Sequence, residues 1–141
     1  MRRNLPMILI RVLVGLVFLV EGILKFLHPV ELGSGLFAGI GLPFPQYLGP
    51  AVGGIEIFGG AAILVNLYAG DAALLLLLVI LTALVTTKLP ILLGRPLGPF
   101  TLMKVPFYGF LGFLHESRAD LSMLAGTLAL VWRNGLRGKN R

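Results

Sequence analysis

ALLLLLVILTALV, residues 73–85, carries no charge and lies within a longer apolar segment over residues 71–93. A bilayer core about 30 Å thick is crossed by roughly 20 helical residues. This stretch is therefore read as a transmembrane helix, with Asp71 placed to cap its start. The rest of the chain agrees: of 141 residues, 57% are hydrophobic and 13% charged, and the mean hydropathy is +0.93. Soluble domains carry about a quarter charged residues. A soluble fold of this length would hold more apolar surface than its interior could hide, so the excess must face lipid.

Three further segments follow. One covers residues 5–27 and stops where His28 and Pro29 block continued helix. A second covers 47–68, with Tyr47 and Tyr68 suited to the two membrane interfaces. A fourth, over 117–132, is short for a crossing, and Ser117 and Asp120 stand at the S-x-x-D spacing of a capping box. Between the second and third segments only Ala69 and Gly70 remain, which forces an antiparallel hairpin. The stretch 29–46 is broken by Gly33, Gly35, Gly39, Gly41, Pro43 and Pro45. The stretch 94–116 holds Pro96, Pro99, Pro106 and FYGFLGF (107–113), which fits either a headgroup-level segment or a cap over the helices. The expected architecture is all-α: one domain over 1–141, an integral membrane four-helix bundle.

Lys and Arg set the expected orientation. Arg2, Arg3, Arg133, Arg137, Lys139 and Arg141 lie near the termini, against Arg95, Lys104 and Arg118 in the long loops. The positive-inside rule then places both termini in the cytoplasm of a multi-pass protein of the cell inner membrane. This distribution accounts for the net charge of +6 better than nucleic-acid binding does, and no nucleic-acid partner is expected. The first helix is read as retained, because Glu21, Lys25 and Phe26 stand where a signal-peptide cleavage pattern would be. With no cysteine, disulfides, thiol redox chemistry and cysteine-ligated zinc or iron–sulfur centres are excluded. A metal site from His28, His115 and Glu116 has no motif spacing, so none is expected.

The charges inside apolar segments carry the functional reading, since each costs at least about 2.5 to 3.5 kcal/mol unless paired, snorkelling or facing a cavity. Arg11, Gly15, Phe18, Glu21, Gly22 and Lys25 share one face of the first helix, and Glu21 precedes Lys25 by the four residues of a favourable intrahelical ion pair. In the second, Gly49, Gly53, Glu56 and Gly60 form a strip that permits close helix contact, so Glu56 should face protein. At 1.5 Å per residue Glu21 and Glu56 lie about 10 and 14 Å inside, and Lys25 and Lys88 about 5 and 8 Å. Two acids and two bases can thus meet. Snorkelling alone accounts for Lys25, Lys88 and Arg11; Glu56 is either paired internally, protonated, or lining a cavity. HESRAD (115–120) is read as a charged helix entrance, or as the outer end of a ligand site with His115, Glu116, Arg118 and Asp120.

RVLVGLVFLVEGILKF (11–26), IGLP (40–43) and IEIFGGAAILVNLY (55–68) together resemble the DoxX family of small membrane proteins, and HESRADLSML (115–124) is similar to the opening of the last helix in one branch. The resemblance implies a four-helix bundle, a link to quinone-dependent redox chemistry, and Glu21, Lys25 and Glu56 as the shared polar positions. The first functional expectation is a subunit that binds a quinone or lipid-like ligand between its helices. Glu21 and Glu56 would handle protons or the ligand, Lys25 and Lys88 would bind it, and a partner protein would supply the redox centre, since this chain has no intrinsic cofactor. A homo-oligomer in the lipid bilayer stays open. The alternatives are a non-catalytic scaffold that recruits a redox or stress-response partner, and a small proton-coupled transporter.

Overall fold

The computed structural model describes residues 5–134. The described residues form eight α-helices and one π-helical turn: α1 (Leu5–Leu27), α2 (Pro29–Leu32), α3 (Ser34–Ile40), α4 (Pro45–Val65), α5 (Ala69–Ala83), the π turn (Leu84–Lys88), α6 (Leu89–Leu93), α7 (Phe110–Glu116) and α8 (Arg118–Asn134). Three helices are long and apolar enough to cross a membrane: Leu5–Leu27, Pro45–Val65 and the continuous run Ala69–Leu93. The fourth expected segment is the 17-residue α8, which lies against α5 and α1. Of the basic residues used to assign orientation, Arg2, Arg3, Arg137, Lys139 and Arg141 lie outside the described residues.

The outer face of α1 leaves Leu9, Val12, Leu13, Leu16, Val20, Ile23 and Leu27 exposed, a stripe far too apolar for contact with water. Its inner face docks on α4 through interlocked glycines. A Cβ on Gly22 would lie 2.6 Å from the Gly53 carbonyl oxygen, and one on Gly60 would lie 2.7 Å from that of Gly15. The two backbones touch there, which side chains would forbid. Val14, Phe18, Ile63, Ala73, Leu76, Met123 and Leu130 fill the core between α1, α4, α5 and α8.

The hairpin differs from the sequence expectation. Helix α4 ends at Asn66 in a left-handed conformation (φ 60), where its N–H donates to the Ala62 and Ile63 carbonyls. Asparagine tolerates that conformation better than most residues. The turn is therefore residues 66–68, while Ala69 and Gly70 already belong to α5 and Tyr68 holds the capping position. Asp71 sits in the first turn of α5, not at the N-cap position.

The third crossing is interrupted. Pro90 has no N–H to give and its ring crowds the preceding turn, and the helix accommodates it by widening over Leu84–Lys88. Thr86 donates its hydroxyl to Thr82 O at 2.8 Å and Thr87 to Ala83 O at 2.5 Å. The capping box at α8 is absent. Ser117 is fully buried and donates its hydroxyl back to the Phe113 carbonyl, so it marks the break between α7 and α8.

At the end of the molecule away from the 66–68 turn, the two broken stretches meet. Thr101 donates its N–H to Ile40 O at 2.9 Å and its hydroxyl to Gly39 O at 2.8 Å. Gly41, at φ +101, lets the Pro99 carbonyl approach where a Cβ would stand 2.2 Å from its oxygen. Of the two readings of residues 94–116, a cap describes the 97–103 portion.

Candidate functional site

Beneath this cap lies a cavity of about 570 Å³, within the size range of small-ligand pockets. Leu36, Phe37, Ile40 and Leu42 close it from the cap side, Leu48, Val52 and Ile55 line it from α4, and Leu75, Leu78 and Val79 from α5. Its charged lining comes from four parts of the chain: Glu21 and Lys25 on α1, Glu56 on α4, Lys88 at the π turn and Asp120 on α8. The glycine contacts explain why Glu56 is there. With Gly53 and Gly60 pressed on α1, the residue between them on the same face must point at α1, and Glu56 is 3% exposed.

Lys25 does not take the intrahelical partner that its spacing offers. Its ammonium lies 2.8 Å from Glu56 Oε1, across the α1–α4 contact, and it makes no pair with Glu21. The i,i+4 geometry was available, but a carboxylate buried among helices has far more to gain from a cation than one with an open side. Lys88 pairs with Asp120 at 3.8 Å, tying the third crossing to α8. All five groups line the same cavity, so the two pairs and Glu21 form one cluster. Glu21 has no ion-pair partner among the described residues and is exposed along the cavity.

All four members of the expected cluster, Glu21, Lys25, Glu56 and Lys88, thus line one cavity. His115, Glu116 and Arg118 do not join them. His115 Nε2 lies 3.8 Å from Glu116 Oε2 and its ring is 5.7 Å from that of Phe107, while Arg118 donates to the His115 carbonyl at 2.6 Å. His28 Nδ1 lies 4.0 Å from Glu31 Oε2, and no three His, Asp or Glu side chains gather as a metal set among the described residues. Arg11 lies toward the opposite end, with its Nε buried and without a hydrogen-bond partner.

Of the HESRAD residues, Asp120 alone lines the cavity. The signal for this was present: Asp120, Met123, Thr127 and Leu130 recur at spacings of three and four, and the last three are buried. Thr82, Thr86 and Thr87 also line the cavity, placed there by the π turn and its neighbourhood.

The DoxX family profile matches residues 7–89, which run from within α1 through the π turn. A relative from Mycobacterium tuberculosis, described as an uncharacterized membrane protein, is 44% identical over 125 residues, covering 89% of this chain and 72% of the relative. No solved structure matches the chain.

Proposed function

The chain belongs to the DoxX family of membrane proteins, and we propose that it binds a quinone-like or lipid-like ligand in the capped cavity, as a membrane subunit of a redox complex. The observation that carries this reading is an apolar cavity of about 570 Å³ with its charged groups gathered as Glu21, Lys25, Glu56, Lys88 and Asp120. An apolar body suits the walls and a polar head suits that cluster. Ile55, Leu75 and Leu78 line the cavity and are also exposed on the apolar flank, which gives a bilayer-dissolved molecule a lateral way in. Glu21, the carboxylate without an ion pair, is the group best placed to exchange a proton with the head of a bound molecule. Electrons would come from a partner protein.

In this proposal α1, α4, α5–α6 and α8 form a four-helix bundle in the cell inner membrane with both termini in the cytoplasm, placing the cap on the outer side. Because the chain has no cysteine, single cysteines introduced at Gly98 and Leu67 report orientation directly. A membrane-impermeant thiol reagent should label the first from outside and the second only after permeabilisation. Ligand binding is tested by extracting the purified protein for quinone and titrating it with decylubiquinone. Val52→Trp, which fills the cavity, should abolish saturable binding while leaving helicity unchanged; equal binding by the variant would refute the site.

A scaffold role is the second reading, favoured by the Lys25–Glu56 pair, which would lock α1 to α4 without any ligand. A scaffold with Glu56→Gln would keep its partner and lose only stability, whereas a ligand module would lose decylubiquinone binding with the fold intact.

A further inference from the structure

The cavity's charges do not balance. Three carboxylates, those of Glu21, Glu56 and Asp120, line it with two ammoniums, those of Lys25 and Lys88. Both ammoniums are committed, Lys25 to Glu56 at 2.8 Å and Lys88 to Asp120 at 3.8 Å. Glu21 is left over, open to the cavity and beside apolar walls that do nothing to offset its charge.

The hydroxyl groups lean the same way. Thr82 donates to Leu78 O at 2.9 Å, Thr86 to Thr82 O at 2.8 Å, and Thr87 to Ala83 O at 2.5 Å. Each hydroxyl has one hydrogen and has given it to the helix, so toward the cavity these oxygens can only accept. Three hydroxyl oxygens that can only accept, plus one carboxylate without a cation, suit a donor-rich positive head. The tail has room between α4 and α5, where Val52, Ile55, Leu75 and Leu78 form the wall.

From this arrangement we infer that the cavity selects an amphiphilic monocation, a protonated amine on an aliphatic tail, with its ammonium against Glu21 and its chain along α4 and α5. The inference rests on the ligand-binding reading of the cavity and takes its lipid-like branch, with a charged amine in place of a quinone head. A cation seated there would make the cluster electrically neutral, which a neutral head cannot do. Beside apolar walls, that difference is a basis for selection.

The test uses the full chain in phosphatidylcholine nanodiscs, titrated calorimetrically with decylammonium and with decanol, with empty nanodiscs subtracted. The two probes share a tail and differ in the head. Decylammonium is expected to bind saturably, one per chain, at least about tenfold tighter than decanol, or about 1.4 kcal/mol. Glu21→Gln should erase that preference and Glu21→Asp should keep it. Because Glu21 makes no ion pair, both variants should retain wild-type helicity and melting. Equal affinities for the two probes, or a preference that survives Glu21→Gln, would overturn the inference. Saturable decylubiquinone binding that is lost in Val52→Trp, without any preference for the amine, would sink the cation selection and leave the ligand site standing. If Val52→Trp alters the binding of none of the three probes, both readings fall.

Discussion

Replacing Lys25 with methionine keeps the bulk of the side chain and removes its charge, leaving Glu56 stranded. The pair is at 2.8 Å, with the lysine side chain 13% and the glutamate side chain 4% exposed. At an effective dielectric constant near 20, two unit charges at that separation attract by about 6 kcal/mol. Part of this offsets the cost of taking both groups out of water, and breaking one partner of a buried pair typically costs about 3–5 kcal/mol. Lys25→Met should therefore lose about 3–5 kcal/mol in equilibrium unfolding from mixed micelles, followed by far-ultraviolet circular dichroism. The double variant Lys25→Met/Glu56→Leu removes the stranded charge as well and should recover most of that loss, since an apolar pair of similar size is often as stable as the ion pair it replaces. A Lys25→Met protein within about 1 kcal/mol of wild type would refute the reasoning, as would a double variant as unstable as the single.

Gly22→Ala should cost about 1–3 kcal/mol in the same assay, because its Cβ would meet Gly53 O at 2.6 Å and Ile57 N at 2.8 Å, backbone that cannot step aside. Gly54→Ala, one position from that contact and with nothing within 4 Å of its Cβ, should be neutral or stabilise α4 by about 0.5–1 kcal/mol through helix propensity. Asp120→Asn should cost about 1 kcal/mol, less than Lys25→Met, because the Lys88–Asp120 pair is longer, at 3.8 Å, and more open. His115→Ala and Glu116→Gln should leave decylubiquinone affinity within about twofold of wild type, since neither residue lines the cavity; a tenfold loss in either would return HESRAD to the site.

Much of this molecule is written in one dimension. The apolar runs demand a membrane because their excess surface has no interior to enter, and the strip of Gly49, Gly53, Glu56 and Gly60 turns Glu56 toward protein because a helix repeats every 3.6 residues. The same periodicity put Glu21, Gly22 and Lys25 on a shared face, and the depth arithmetic brought two acids within reach of two shallower bases on one side of the membrane, where the cavity holds them. What periodicity cannot supply is the distance and rotation between helices. Whether Lys25 answers Glu21 on its own helix or Glu56 on the next depends on how closely α1 and α4 approach, and that is set by glycines locking backbone to backbone. Local rules also misled where long-range contacts competed with them. Ser117 and Asp120 have the spacing of a cap, yet the hydroxyl turned back to Phe113 and the carboxylate went to Lys88, since a buried charge gains more from an opposite charge than a helix end gains from one carboxylate. The sequence determined the solvent, the helices and their polar faces, because these follow from composition and pitch. Tertiary structure decided which charge met which, and which carboxylate was left over, because pairing is a property of separation in space and not of order along the chain.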